Sequence, residues 1–387
     1  MACKVFLKLK FCEFFKKITQ KKRKSGFGAE YLYIESLTKE VLACVRFAQK
    51  GFKMTIREQL EKWEKEYLSP YATLSMNSKG REREEEQCDI RPVFQRDRDR
   101  ILHCKSFRRL KDKTQVFLTP DGDHYRTRLT HTLEVSQNAR TIAKALRLNE
   151  DLVEAIALGH DLGHTPFGHA GERALNDVCP YGFEHNKQSV RTVEKLEKNG
   201  QGLNLTVEVR DGILNHQTAN MPSTLEGKIV RFSDKIAYIH HDMDDAIRGG
   251  ILTEADVPKE IGDVIGYTTG ERLDHFIHDI VTTSANTGDI KMSPPVEEAM
   301  RKLRNFMFER VYQNPDAKSE EGKAEMLMVT LYHHYLKNID VLPPEMLRMI
   351  EQGEPRERIV CDYVGAMTDR FAIAVYEELY IPKSWHG

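Results

Sequence analysis

The segment that most constrains this chain spans residues 160–172 and reads His-Asp-Leu-Gly-His-Thr-Pro-Phe-Gly-His-Ala-Gly-Glu. It holds three histidines and two acidic residues among glycines and a proline. It follows an apolar run at 151–159 that predicts a buried helix. Imidazoles and carboxylates clustered at the end of a core helix suit a divalent metal bound through nitrogen and oxygen. The alternative is a polar helix end whose histidines cap carbonyls and bind nothing.

Composition narrows the classes of protein that the chain can belong to. Its 387 residues carry a formal net charge of −1. The overall charge therefore does not indicate nucleic acid or a membrane surface as a partner. Its seven cysteines form no C-x-x-C pair, which argues against a disulfide framework and predicts a reducing, cytoplasmic location. The sequence contains no apolar run of 18 residues that would predict a membrane span.

The first 53 residues differ from the rest. Residues 16–24 are strongly basic, and lysines interrupt the apolar run before them, so the segment is not typical of a signal peptide. A basic arm for a membrane surface or nucleic acid is one interpretation. We expect instead that Met54 is the natural start and that residues 1–53 are an upstream extension.

Apolar periodicity predicts an all-α, or nearly all-α, fold for the rest of the chain. Residues 77–100 are dense in both charges, which predicts a solvated surface or a loop. A helix is predicted over 101–110, followed by a short strand or turn. Another helix is predicted from Arg126 to about Leu148, with Asn149 capping the helix after it.

A long helix is predicted from Glu226 to about Arg248, ended by two glycines. Its apolar residues share one face, and the opposite face carries Asp234, Tyr238, Asp242 and Asp245. Such an acidic stripe is normally a solvated surface.

Four residues combine into one pattern: His131, His160, Asp161 and Asp234. A histidine, then an adjacent His-Asp pair, then a distant aspartate resembles the HD-domain metal phosphohydrolases, which are named for that pair. Such a set can give a divalent ion four protein ligands. Mn, Mg and Fe all suit nitrogen and oxygen ligands, so the sequence leaves the metal open.

The surrounding segments resemble the deoxynucleoside triphosphate triphosphohydrolases, the dGTPase-like branch of that superfamily. The segments that carry this resemblance are 107–116, 126–131, 160–172, 183–186, 231–238 and 362–370. The resemblance implies a catalytic unit over 54–387, with an HD core at about 101–250 and a C-terminal helical region at about 251–387. It implies hydrolysis of dGTP or several dNTPs to deoxynucleoside and inorganic triphosphate. It also implies a homo-oligomer, and leaves open an allosteric dNTP or single-stranded nucleic acid as a further partner.

The resemblance also implies roles for individual residues around a polyanionic substrate, which calls for cationic groups near the phosphates. It implies phosphate contacts for Arg128, His164, Lys235 and His185, and we count His185 among the catalytic residues. For Lys235 the alternative is an ordinary solvated lysine.

Two further pairs receive roles in the same way. Glu172 lies three residues after His169 and can hold its ring in one tautomer. The family uses this pair catalytically, and we assign His169 the proton transfer to the leaving 5′ oxygen, with direct nucleophilic attack left open. The resemblance implies that Tyr238 crowds the sugar 2′ position and that Asp242 accepts a hydrogen bond from the 3′-OH.

Two other functions remain as alternatives. One is another HD-domain phosphohydrolase, such as a nucleotidase or a cyclic-dinucleotide phosphodiesterase. The other is a non-catalytic regulator that binds a nucleotide or nucleic acid. Retention of His169 with Glu172 argues against a regulator, because binding alone requires no such pair.

The extension hypothesis has a direct test. A chain beginning at Met54 should be soluble and should match the full chain in specific activity, because residues 1–53 lie outside the resemblance. Size-exclusion chromatography and turnover of the two chains, measured side by side, check this. A large loss of activity or a change of oligomer on truncation would assign residues 1–53 a function.

Overall fold

The computed structural model describes residues 54–115, 126–312 and 320–383, and the basic extension 1–53 lies outside them. Within these ranges no β-strand forms, and only isolated bridges occur, Arg81–Thr206 and Thr114–Thr127. The all-α prediction is therefore confirmed for the described residues. None of the helices that the structure describes is long and apolar enough to cross a membrane.

The α-helices of the described ranges, numbered in chain order, are α1 Ile56–Tyr67, α2 Val93–Leu102, α3 Lys105–Arg109, α4 Arg128–Leu146, α5 Glu150–Gly159, α6 Gly168–Val178, α7 His185–Arg191, α8 Val207–Leu214, α9 Leu225–Arg248, α10 Lys259–Ile265, α11 Thr269–Ser284, α12 Pro294–Met307, α13 Glu321–Lys337, α14 Pro344–Glu351, α15 Arg356–Gly365 and α16 Asp369–Tyr380. Short 3₁₀, π and one-turn α segments, among them Glu197–Gly200, connect several of them.

The buried apolar side chains form two clusters. The first core runs along the chain from Phe94 to Leu162 and resumes from Val193 to Val311. The second core comprises residues from Phe167 to Phe183 together with the C-terminal helices α13–α16. The chain therefore passes from one core to the other between Leu162 and Phe167, inside the histidine-rich segment. The predicted division of the chain near residue 250 stays a prediction.

Polar side chains cap the N-termini of α4, α5 and α9, the helices that surround this segment. The Thr127 side chain accepts a hydrogen bond from the Thr130 N–H at the start of α4. Asn149 accepts one from the Leu152 N–H (3.2 Å), as predicted, and Thr224 accepts one from the Gly227 N–H (3.0 Å) at the start of α9. Each cap typically contributes about 1 kcal/mol to helix stability.

The charge-dense stretch 77–100 corrects the sequence interpretation. It is not a solvated loop throughout, because α2 begins at Val93 and Asp97 is fully buried. The Asp97 carboxylate accepts hydrogen bonds from the Thr206 N–H (2.9 Å) and hydroxyl (2.7 Å) and pairs with Arg81. Charges of mixed sign can pair across elements instead of facing water, and composition does not distinguish the two outcomes. The helix predicted over 101–110 is also interrupted, between Leu102 and Lys105.

Candidate active site

The turn after α5 brings the site together. The buried His160 follows α5 directly, and its carbonyl accepts a hydrogen bond from the Ser189 hydroxyl (2.7 Å). The same hydroxyl accepts the Gly163 N–H (2.8 Å). A Cβ on Gly163 would lie 2.2 Å from the Ser189 backbone nitrogen, so only glycine allows α7 to approach this closely. This approach places His185, the first residue of α7, beside the turn.

Side chains from α4, the turn and α9 place nitrogen and oxygen atoms that can bind a metal close together. The donor atoms of His131, His160 and Asp234 all lie within 4.8 Å of one another. Asp234 Oδ1 is 3.1 Å from His131 Nε2 and 3.7 Å from His160 Nε2. Burial would raise the pKa of Asp234, but the hydrogen bond from His131 and the neighbouring His160 hold it well below its usual range. The carboxylate is therefore ionised, as a metal ligand must be.

The bonding of His160 tests whether this set fits a metal ion. Its Nδ1 lies 2.6 Å from the Ala157 carbonyl oxygen, and because a carbonyl only accepts, Nδ1 carries the proton. In the neutral ring, Nε2 then presents a lone pair, and within the described part of the chain this buried atom has no hydrogen-bond partner. A buried, unpartnered imidazole nitrogen facing carboxylates fits a divalent cation.

Asp161 stands at the edge of this donor set. Its Oδ1 is 3.6 Å from His160 Nε2, while its Oδ2 accepts a hydrogen bond from Arg128 Nη1 (2.8 Å). Burial opposes ionisation, but His160 and Arg128 hold the pKa of Asp161 well below its usual range. The structure thus groups His131, His160 and Asp234, whereas the Asp161 carboxylate groups with His185 and His216 and bonds the buried Arg128 guanidinium.

A second group forms where α6 begins. The donor atoms of His164, His169, Glu172 and His185 all lie within 4.8 Å of one another. Glu172 Oε2 is 3.0 Å from His169 Nδ1, and Oε1 lies 2.9 Å from His185 Nδ1 and 2.7 Å from its backbone nitrogen. Burial would raise the pKa of Glu172, but the hydrogen bonds from His169 and His185 hold it well below its usual range. Because an ionised carboxylate can only accept a hydrogen bond, His169 donates one to Glu172 through Nδ1. The other ring nitrogen, Nε2, is then the one available for proton transfer.

The environments of the three histidines in this group differ. The His169 side chain is 63% exposed, whereas His164 and His185 are buried and stack with their ring centroids 4.5 Å apart. Burial and the nearby Arg128 lower the pKa of His164 well below its usual value. Burial also opposes a charge on His185, but the hydrogen bond to Glu172 outweighs it and raises its pKa. The group therefore combines a neutral ring, a ring disposed to carry charge, and an accessible ring.

The remaining sequence-predicted residues lie on α9. Asp242 is fully buried and Tyr238 is half-buried, so the polar stripe of α9 is not an ordinary solvated surface. Lys235 is half-buried, and burial, followed by the charge of Arg231, lowers its pKa to about 8. Its Nζ lies 5.9 Å from the centroid of the Phe232 ring.

Sequence reasoning missed His216, which bridges the two groups. Its Nδ1 donates to the Ile213 carbonyl (2.7 Å), and its Nε2 lies 3.3 Å from His185 Nε2. Its ring centroid is 5.1 Å from that of His160. Burial, followed by the electrostatic effect of the neighbouring His160, lowers the pKa of His216 to about 4. A single histidine after a short helix has no spacing pattern, so no sequence signal indicated it.

Comparison with known proteins agrees with this arrangement. Two family models match the chain, "HD domain" over residues 128–239 and "Phosphohydrolase-associated domain" over residues 290–378. A solved structure, a phosphohydrolase from Bacteroides thetaiotaomicron, is 16% identical over 72% of this chain and 68% of that one, with a TM-score of 0.47. So distant a likeness carries no functional weight.

Two curated relatives are much closer, and both are named deoxyguanosinetriphosphate triphosphohydrolase-like protein. The relative from Caldanaerobacter subterraneus is 55% identical and covers 86% of this chain and 98% of its own. The relative from Desulfatibacillum aliphaticivorans is 47% identical and covers 85% and 99%. HD domains bind divalent metals, in agreement with the donor set around His160. The chain therefore belongs to the deoxyguanosinetriphosphate triphosphohydrolase-like family of HD-domain phosphohydrolases.

Proposed function

We propose that this protein hydrolyses deoxynucleoside triphosphates, dGTP or several dNTPs, to deoxynucleoside and inorganic triphosphate. Water adds to the α-phosphorus, the bond from that phosphorus to the 5′ oxygen breaks, and the 5′ oxygen gains a proton. The relatives' shared name supports a deoxyguanosine triphosphate as one such substrate.

One observation carries the proposal: a group of nitrogen and oxygen atoms suited to a metal lies near the bonded pair His169 and Glu172. His131, His160 and Asp234 form the first group, with the Asp161 carboxylate 3.6 Å from His160 Nε2. We assign metal binding to these four residues and proton transfer to His169 with the ionised Glu172. His216 spans the distance between them, touching His160 on one side and His185 on the other. Hydrolysis at the α-phosphorus with a 5′-alkoxide leaving group is accelerated by both functions, a metal at the phosphates and a general acid at the leaving oxygen.

Positive charge in the site favours a polyanionic substrate. His131, His160, Asp161 and Asp234 would hold a divalent cation, which would neutralise charge on the phosphates and polarise the phosphoryl oxygens. Arg128 is already aimed at Asp161 by its 2.8 Å hydrogen bond, so its charge is held in place before substrate arrives. We assign phosphate contacts to Arg128, His164, His185 and Lys235.

His169 is assigned the proton donated to the leaving oxygen. Its exposed ring is held by Glu172 through Nδ1, so Nε2 is the nitrogen that faces substrate. The carboxylate fixes the orientation of the imidazole, which a general acid requires. Protonation by His169 in the transition state makes the nucleoside a better leaving group.

Sugar recognition is assigned to α9. Tyr238 and Asp242 follow Asp234 by one and two helical turns, so they extend from the donor set along the same face. We propose that Asp242 accepts a hydrogen bond from the 3′-OH and that Tyr238 occupies the space of a ribose 2′-OH. Self-association, an allosteric dNTP or single-stranded nucleic acid, and a cytoplasmic location stay predictions.

The reaction products test the proposed function. The protein, supplied in turn with Mn, Mg or Fe(II), should convert at least one dNTP to deoxynucleoside and intact triphosphate, detected by anion exchange. The matching ribonucleotide should be a poor substrate, because Tyr238 excludes the 2′-OH. Release of monophosphate or pyrophosphate instead would point to another class of HD-domain phosphohydrolase. Binding without turnover under all metals would favour a regulator.

The donor set is tested by removing its members. Changing His160, Asp161 or Asp234 to Ala should abolish both metal content and turnover in a folded protein, because each removes a donor from a shared ion. Metal content is measured by mass spectrometry and folding by circular dichroism. His333→Ala, which removes an exposed histidine of α13, is the matched control and should change neither. Full activity in a metal-free Asp161→Ala variant contradicts the assignment.

The proton-transfer pair should be separable from metal binding. His169→Ala should lose turnover by about 10²–10⁴-fold while keeping metal and dNTP affinity, since general acid catalysis typically contributes that factor. Glu172→Gln should lose less, because it weakens and misorients the ring without removing it. Turnover, dNTP affinity and melting temperature are measured for both variants. Near-normal turnover in His169→Ala would refute the general-acid role.

A further inference from the structure

The segment 362–370, which carries part of the family resemblance, has no role in the chemistry proposed above. Its residue Asp369 is nevertheless buried, with 2% of its surface exposed, and it is the first residue of α16. A carboxylate this deeply buried is stable only when its oxygens are hydrogen-bonded. The identity of its partners therefore indicates what Asp369 does.

Asp369 joins two segments that lie far from it in sequence. Its Oδ1 accepts the Phe167 N–H (3.1 Å). Its Oδ2 accepts the Thr114 N–H (3.0 Å) and the Thr114 hydroxyl (2.6 Å). One side chain of the C-terminal region thus holds the backbone immediately before α6, two residues ahead of His169.

The backbone at Phe167 needs such support. Its φ angle is +60°, in the left-handed region that a residue with a bulky side chain rarely adopts. Gly168 continues the turn with a φ angle of +55°, and its carbonyl accepts the Thr165 hydroxyl (2.8 Å). An unfavourable conformation of this kind persists only where surrounding contacts over-determine it. The turn then delivers His169 into the first turn of α6.

Two further contacts come from the same side of the molecule. The Phe167 side chain is buried in the second core, with the C-terminal helices. The Lys113 ammonium donates to the His164 carbonyl and to the Gly365 carbonyl (3.1 Å) at the end of α15. The C-terminal region therefore holds the 164–167 turn at its end, and Lys113 links the start of the turn to the end of α15.

We propose that Asp369 is a positioning residue for His169, acting through the Phe167 backbone and without touching substrate. This inference rests on the proposed catalytic role of His169. By holding Phe167 in its left-handed conformation, Asp369 sets where α6 begins and hence where Nε2 of His169 points. The hydrogen bonds of Asp369 reach none of the proposed metal donors directly. Its second partner, Thr114, pairs with Thr127 at the start of α4, so metal content and KM are the measurements that separate an effect on His169 from an effect on α4.

Asp369→Asn tests the proposal with little change in side-chain volume. An amide group replaces one acceptor with a donor, so either Phe167 or Thr114 loses its partner. We expect kcat to fall by about 10–100-fold, the loss that is typical when a residue that orients a metal-ligating side chain is changed. The KM for the dNTP should stay within a factor of about three and the metal content should be unchanged, because a misplaced acid affects the transition state more than binding.

Asp97→Asn is the matched control. Asp97 is also fully buried, and it bonds the N–H and hydroxyl of Thr206 just as Asp369 bonds those of Thr114. Its partners Thr206 and Arg81 are outside the site. Asp97→Asn should lower the melting temperature at least as much as Asp369→Asn, but it should leave the kcat of the folded enzyme near that of the wild type. Equal kcat losses in the two variants overturn the proposal.

A second measurement does not depend on catalysis. Hydrogen exchange, read by mass spectrometry on peptides covering 164–170, should accelerate in Asp369→Asn and stay at the wild-type rate in Asp97→Asn. Exchange that is unchanged in Asp369→Asn, or equally raised in both variants, contradicts the positioning role. If the wild-type protein hydrolyses no dNTP, the proposed function fails, and the exchange result alone decides whether Asp369 holds the turn.

Thr114→Val is the milder variant if Asp369→Asn does not fold. It removes only the hydrogen bond from the Thr114 hydroxyl to Asp369 Oδ2. The Asp369 carboxylate still accepts hydrogen bonds from the backbone N–H groups of Thr114 and Phe167. It should lower kcat less than Asp369→Asn, again without a change in KM or metal content. A folded Thr114→Val variant with wild-type kcat and wild-type exchange at 164–170 would contradict the proposal.

Discussion

The burial of the 160–172 segment is the constraint on which the rest of the structure depends. The chain crosses here from the first core, which contains Leu162, to the second, which contains Phe167. Between them it forms no continuous helix, so its backbone polar groups need partners from elsewhere. Ser189 and Lys113 supply them on the first part of the turn, and Asp369 supplies one at its end. Since an unpartnered buried polar group costs about 1–3 kcal/mol, these contacts determine whether the turn is stable.

The crossing separates the two groups of side chains to which we assign metal binding and proton transfer. The proposed metal ligands lie on, or directly after, helices of the first core, whereas His169 and Glu172 lie on α6, whose buried face belongs to the second core. Glu172 links α6 to α7, because its carboxylate bonds His169 on α6 and both the ring and the backbone N–H of His185 on α7. The C-terminal helices are therefore part of the architecture of the site, although none of the residues assigned to chemistry lies on them.

Local patterns were the predictable part of this structure. Helix α9 and the Asn149 cap follow from apolar periodicity and from a short polar side chain at a helix start, both of which act over a few residues. The spacing of His169 and Glu172 likewise predicted a contact within one helical turn. The prediction for 77–100 failed only in its last part, from Val93 onward, because pairing of Asp97 with Arg81 and Thr206 depends on residues as many as 109 positions away.

The sequence by itself determined the all-α class, the segments that carry the histidines and carboxylates, and the family resemblance built on them. Those properties depend on residue type and short-range order. Only the tertiary structure decided that His216 lies between the two groups, that Asp242 is fully buried, and that Asp369 holds the Phe167 backbone. Asp369 and Phe167 are 202 positions apart in the chain, and the residues next to each of them in the sequence do not indicate that the two form a hydrogen bond. It forms because the packing of two cores brings a buried acceptor to a backbone N–H that has no helical partner.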